Sequence, residues 1–229
     1  MTKVLGIVPA RGGSKGIPQK NLALLNGHPL IAYTCMAARG SARLDRTIVS
    51  TDDRGIAQVA GAHGVEAPFV RPAAISGDDV PMIDVVRHAL EALDNEGYRA
   101  DAVAVLQPTS PLRRAEHIDA AVDRFVASGA DTVVTVVRVP HQFSPASVLK
   151  LEADQLTPYE IGPQILRRQD KPVLFARNGP AVLVVRRGVI ESGSLYGEHV
   201  EGVEMTFGES IDVDTRDDLA LAEFWMARG

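Results

Sequence analysis

Three cations, Arg11, Lys15 and Lys20, fall within ten residues and are set among Gly12, Gly13, Ser14 and Gly16. Glycines let a backbone turn tightly and approach a ligand closely, so the N–H groups of such a turn can point at phosphate oxygens. Arg11 offers a planar fork of donors and Lys15 a mobile point charge, together suited to neutralising a polyphosphate. A second constellation lies near the other end, Asp212 and Asp214 in the run SIDVDT. In an extended strand alternate residues share a face, so these carboxylates project together while Val213 faces away. Like charges so placed repel unless a cation joins them, and a carboxylate pair beside phosphates suits Mg²⁺, with Mn²⁺ as its substitute. The competing reading is capping, because Asp214 and Thr215 precede a helix-like segment.

The glycine turn is neither of the two commonest phosphate motifs. It lacks the GxxxxGK spacing of the Walker loop and the GxGxxG of the dinucleotide fold. Its position decides more: it follows an apolar strand, Val4 to Val8, through Pro9 and Ala10. Loops at the carboxyl ends of buried strands are where open α/β sheets bind ligands. The loop Gln107 to Arg113 follows another such strand, and Gln107, Thr109 and Ser110 offer neutral hydrogen-bonding groups there. Ser110 and Pro111 are equally explained by a turn and the start of the next helix.

The elements that carry these loops are short β-branched strands alternating with helical patterns, the mark of parallel βαβ units. Candidate strands are Val4 to Val8, Thr47 to Ser50, Ala102 to Leu106 and Thr132 to Val139. Helices are expected from Pro29 to near Gly40, from Asp53 to Ala62, and around Ile83, Val86, Leu90 and Leu93. A fourth spans Ala115 to Ala127, with Ile118, Val122, Phe125 and Val126 on one side. A last runs from Asp217 to Ala227 and is expected to pack Leu219, Leu221, Ala222 and Trp225 on the sheet. The fold class expected is therefore α/β, a three-layer α/β/α doubly wound, mostly parallel sheet. After Val139 the alternation stops, and residues 140–200 read as an inserted arm and late loop within one domain, 1–229.

The composition narrows the function. The chain has 229 residues, 45% of them hydrophobic, enough for a sizeable core. A net charge of −5 argues against a nucleic-acid surface, since the cations that matter are clustered rather than spread. Cys35 is the only cysteine and reads as a small core residue in a reducing compartment. No apolar run has membrane-spanning length and no secretory segment opens the sequence, so a cytoplasmic setting with no membrane partner is expected. His28, His63, His88, His117, His141 and His199 have no ligand spacing.

The string PARGGSKGIPQKN resembles the first motif of the acylneuraminate cytidylyltransferases, the CMP-sialic acid synthetases. The likeness continues through IVSTDD (48–53), RPAAIS (71–76), LQPTSPLR (106–113), FARNGPA (175–181) and SIDVDT (210–215), in that family's order. The resemblance implies a nucleotide-diphospho-sugar transferase-like fold and a CTP-dependent transfer to a sialic-acid-like nonulosonic acid. It implies that Ala10, Arg11, Gly12, Gly13, Ser14, Lys15, Lys20, Asn21 and Arg71 bind nucleotide, Arg71 lying against the pyrimidine. It places Gln107, Thr109, Ser110, Arg168, Arg177 and Asn178 with the acceptor or leaving group, and Asp212 and Asp214 on the metal. It also implies a homodimer whose arms approach the partner's active site. Departures fall at acceptor and base positions: RNGPA stands where RPNGA is usual, Ala181-Val182-Leu183 are all aliphatic, and Asp79-Val80-Pro81-Met82 replace a serine-rich stretch. Two alternatives therefore stay open: transfer of another nucleotide to a sugar 1-phosphate, and a sugar-nucleotide-binding protein without catalysis.

Overall fold

The computed structural model describes residues 2–159 and 167–228. In chain order the strands are β1 (Val4–Pro9), β2 (Leu24–Leu25), β3 (His28–Pro29), β4 (Arg46–Ser50), β5 (Ala102–Val105), β6 (Thr132–Arg138), β7 (Leu149–Glu152), β8 (Gln155–Pro158), β9 (Phe175–Arg177), β10 (Leu183–Arg186) and β11 (Val200–Met205). The helices are α1 (Leu30–Gly40), α2 (Arg54–Ala62), α3 (Met82–Asn95), α4 (Ala115–Ser128), α5 (Arg187–Glu191) and α6 (Arg216–Met226).

One seven-stranded sheet, ordered β11-β6-β10-β5-β1-β4 with β9 also on β6, organises the molecule. β1 runs parallel to β4 and β5, and β11 parallel to β6. β10 is antiparallel to both β5 and β6, and β9 is antiparallel to β6. Five strands thus share one direction and two oppose it. The expected mixed, mostly parallel α/β sheet is present, and the apolar runs of β1 and β5 are buried as a sheet covered on both faces requires.

On one face Ile31 and Cys35 of α1, Ile56 of α2 and Ile118, Val122 and Phe125 of α4 close the core. On the other, Val86, Leu90 and Leu93 of α3 and Ile190 of α5 do so. Two expected core positions are not buried. Val126 is exposed because it lies one helical step beyond Phe125, at the margin of the α4 stripe. Leu221 of α6 is also exposed, and α6 does not pack on the sheet. Its Leu219, Ala222 and Trp225 close a third cluster with Ile17, Leu25, Leu30, Ile211 and Val213, buttressing the glycine loop.

Residues 140–200 divide. β9, β10 and the start of β11 join the main sheet, whereas β7 and β8 form a separate antiparallel hairpin. Between β9 and β10 the chain bulges: Arg177 faces Val136 and Leu183 faces Val134, so five residues, 178–182, oppose Thr135 alone. Thr135 pins the bulge by accepting from the Val182 N–H through Oγ1 at 2.9 Å, while its own N–H donates to the Val182 carbonyl at 2.9 Å.

Candidate active site

Because β1, β4 and β5 are parallel, their carboxyl ends deliver residues 10–21, 51–53 and 106–113 to one edge. The first and last of these loops border a cleft of about 540 Å³, lined by Arg11, Lys15, Lys20, Asn21, Arg71, Gln107, Thr109 and Asp214 among others. Its remaining wall is apolar, with Ile75, Val80, Met82 and Val85 beside Arg71. One flank is therefore cationic and the other greasy, which suits a ligand with a phosphate tail and a flat ring.

The glycine loop is held by its own polar groups. Ser14 Oγ donates to the Ile17 carbonyl and accepts from the Lys20 N–H at 3.0 Å. Asn21 is buried and donates through Nδ2 to the Arg11 carbonyl at 2.9 Å, so it shapes the loop from behind. The Gly12 N–H donates to Asp52 Oδ1 at 2.9 Å. At Gly16 the loop passes so close to the carboxyl-terminal segment that a Cβ would sit 2.3 Å from the Asp214 carbonyl oxygen. Lys20 crosses the same junction, donating to Asp214 Oδ1 at 2.7 Å and to the Val213 carbonyl at 2.9 Å.

Asp212 and Asp214 do not lie on a strand, and of the two only Asp214 lines the cleft. Residues 211–214 form no ladder; the segment is extended because the Val213 N–H donates to the Thr109 carbonyl at 2.7 Å and Ile211 and Val213 are buried. The capping expected of this segment falls to Thr215, which caps α6 by accepting from the Asp218 N–H, while Asp218 accepts from the Thr215 N–H at 2.8 Å. Asp214 is left to face Lys20. Asp212 is half-buried, and burial, followed by the nearby Asp214 charge, pushes its carboxyl above the ordinary range. Its Oδ1 is buried without a hydrogen-bond partner, as are Thr109 Oγ1 and Ser110 Oγ. A Cβ added at Gly179, which has φ +114°, would lie 3.3 Å from Ser110 Oγ and 3.5 Å from Asp212 Oδ1, so a glycine keeps that space clear.

A cytidylyltransferase family profile matches residues 5–204. The chain belongs to the cytidylyltransferase family. It is 33% identical over 222 residues to the CMP-N,N'-diacetyllegionaminic acid synthase of Legionella pneumophila, covering 96% of this chain and 95% of that one. It is 29% identical to the pseudaminic acid cytidylyltransferase of Campylobacter jejuni, at 96% and 95% coverage. It is 30% identical to the N-acylneuraminate cytidylyltransferase of Escherichia coli, spanning 51% of that longer protein. A solved CMP:2-keto-3-deoxy-manno-octonic acid synthetase complexed with CTP superposes with a TM-score of 0.74 at 19% identity, covering 99% of both chains, and shows the shared fold.

Within this cytidylyltransferase the expected site residues sort unevenly. Arg11, Gly13, Ser14, Lys15, Lys20, Asn21, Arg71, Gln107, Thr109 and Asp214 line one cleft. Gln107 points its Nε2 to the Gly179 carbonyl at 3.0 Å, coupling its loop to the bulge. Ala10 and Ser110 are fully buried beneath the cleft. Arg71 is buried, donating through Nε to Ser76 Oγ at 3.2 Å, with Asp52 Oδ1 3.7 Å from Nη2. Asn178 is buried, accepts from Thr135 Oγ1 at 2.8 Å and donates to Ser210 Oγ at 2.9 Å, bonds that hold the bulge, and it is not part of the cleft lining. Arg177 lies off the cleft lining, stacked 5.0 Å over Tyr196. The side chain of Arg168 lies outside the described residues.

Two residues that hold the walls of the cleft together escaped the sequence. Asp78 pairs with Arg11 and lies 3.2 Å from Lys15 Nζ; only its nearness to the RP motif hinted at this. Arg113 is buried without a carboxylate, donating to the Gln107 and Ala181 carbonyls at 2.9 Å each and to Thr34 Oγ1. It clamps the 107 loop, the bulge and α1 together, and the last letter of LQPTSPLR was its signal.

Proposed function

We propose that the chain transfers a cytidylyl group from CTP to a sialic-acid-like nonulosonic acid, releasing pyrophosphate. The observation that carries this reading is the Lys20–Asp214 contact, which joins the cationic loop to one member of the carboxylate pair at the cleft. The legionaminic, pseudaminic and acylneuraminic acid relatives support the acceptor class.

In this reading the acceptor's hydroxyl oxygen attacks the α-phosphorus of CTP, the bond to the β-phosphate breaks, and the hydroxyl proton passes to water. Arg11 and Lys15 hold the leaving phosphates and take up their developing charge, a positioning and electrostatic contribution rather than a covalent one. Lys20 fixes Asp214 and the loop in register. Arg71 and the Ile75, Val80, Met82 and Val85 wall receive the cytosine, and Gln107 with the Arg113-clamped bulge receives the acceptor. Arg177 is the arginine we assign to the acceptor carboxylate or the departing pyrophosphate. The unpartnered Asp212 Oδ1, the exposed Asp214 carboxylate and the clear space at Gly179 fit a divalent cation held by two carboxylates and shared with phosphate. Mg²⁺ bound there would supply charge neutralisation and acidify the attacking hydroxyl. We further propose a homodimer formed through the arm within 140–200, where Leu149, Leu151, Leu156 and Tyr159 are exposed on and beside the β7–β8 hairpin. Residues 1–229 would act as one domain in the cytoplasm.

The test is pyrophosphate release across four nucleoside triphosphates and a panel of acceptors, namely sialic, legionaminic, pseudaminic and octulosonic acids and a sugar 1-phosphate. Release with CTP and a nonulosonic acid is expected. Turnover only of a sugar 1-phosphate with another nucleotide, or binding without release, would overturn the reading.

A further inference from the structure

The two outer cations of the glycine loop are already engaged by one carboxylate. Asp78 pairs through Oδ1 with Arg11 Nη1 and places Oδ2 3.2 Å from Lys15 Nζ, so its two oxygens bridge the guanidinium and the ammonium. The Lys15 and Arg11 contacts hold its carboxyl below the usual range, as an ion pair should. Among the described residues Asp78 has no other ion-pair partner, and it sits in the turn between the 3-10 turn Ala73–Ile75 and α3, on the cleft rim. A carboxylate bridging two cations presents to them what two oxygens of a phosphate would present.

We propose that Asp78 is a displaceable stand-in for phosphate, an affinity- and selectivity-setting residue that must leave Arg11 and Lys15 before a di- or triphosphate can engage them. This rests on reading the cleft as a nucleoside triphosphate site. A ligand that binds only when the cations are free has its affinity reduced by the fraction of time they are free. The reduction applies equally to CTP and to pyrophosphate, because both need the same cations. It does not apply to cytidine, which has no phosphate to place there. Asp78 therefore weakens retention of the pyrophosphate product and leaves recognition of the base and ribose to Arg71 and its apolar wall.

The test is calorimetric titration of the unsubstituted protein, Asp78→Asn and Asp78→Ala with Mg²⁺–CTP, Mg²⁺–pyrophosphate and cytidine. Partly exposed ion pairs of this kind are modest, so both variants are expected to bind CTP and pyrophosphate about five- to twentyfold more tightly. Cytidine affinity should stay within about twofold, and thermal melting identifies a variant whose loop no longer folds. Asp79→Asn makes the same charge change one residue away, without touching either cation. It should leave all three affinities within about twofold; equal tightening there would mean general charge rather than displacement, overturning the proposal. Unchanged or weaker phosphate binding in both Asp78 variants would also overturn it. Failure of the unsubstituted protein to bind CTP at all would instead overturn the site reading itself.

Discussion

Lys20 Nζ and Asp214 Oδ1 lie 2.7 Å apart across a separation of 194 residues. The contact joins the loop that follows the first strand to the segment that precedes the last helix. A second bond from the same ammonium, to the Val213 carbonyl, makes Lys20 a brace as well as a charge. Its side chain is 14% exposed, so the brace is sheltered from solvent while the Asp214 carboxylate stays open.

Replacing that brace tests whether the junction matters for chemistry beyond stability. Lys20→Ala should lower kcat by about a hundredfold, the range for loss of one preorganised electrostatic group. Stability should fall by only about 1 kcal/mol for the lost bonds. Initial rates at saturating CTP, read beside a thermal melt, check both; a melt shift without a rate loss would make Lys20 structural only.

The carboxylate pair makes a separate prediction. Asp212→Asn and Asp214→Asn should each cut the rate by roughly a hundredfold and raise the Mg²⁺ concentration needed for half-maximal activity. A rate titrated against Mg²⁺ distinguishes this from a general folding defect, and an unchanged rate in either variant would remove it from the metal assignment.

Close approach, rather than a special backbone angle, explains Gly16. A methyl group there would meet the Asp214 carbonyl oxygen at 2.3 Å, so the loop or the 211–214 segment must move. Gly16→Ala should cost about 1 to 3 kcal/mol of stability and weaken CTP binding more than that shift in folding would explain. Gly13→Ala, where a Cβ meets nothing within 4 Å, is the matched comparison for stability.

Away from the cleft, Asp94 of α3 accepts from Arg187 at the start of α5 through both oxygens, one bond measuring 3.0 Å. The Arg187 hydrogen bonds hold the Asp94 carboxyl below its ordinary value. A depressed carboxylate stabilises the folded state above the unfolded pKa and loses that contribution as pH falls through the folded one. Asp94→Asn should therefore cost about 1 to 2 kcal/mol at neutral pH, with the difference shrinking as pH falls through the ordinary aspartate range and disappearing once it passes below the depressed folded value. Urea unfolding from pH 2 to 7 measures it.

What could be read beforehand followed from local rules. The strands Val4–Pro9 and Ala102–Val105 announce themselves as apolar runs, and the glycine loop and the LQPTSPLR loop follow them to the same sheet edge. Pattern on α4 identified Ile118, Val122 and Phe125 but overreached at Val126, because a marginal position is decided by what packs beside it. The 178–182 bulge was not legible, since it exists only through pairing with Thr135 of a strand more than forty residues earlier. For the same reason the hydrogen bonds of Asn178 across the bulge could not be foreseen. Asp78 stayed hidden because an acid on a loop carries no periodic signal, and its meaning comes entirely from Arg11 and Lys15. Local sequence predicts where a cleft lies better than it predicts which long-range partners fill it.

A crystal structure with CTP and Mn²⁺, using the manganese anomalous signal, tests the shared cleft most directly. The anomalous peak is expected between Asp212, Asp214 and the triphosphate, with the phosphates on Arg11 and Lys15 and the cytosine against Arg71. A triphosphate bound elsewhere, or a peak away from the two carboxylates, would contradict the account.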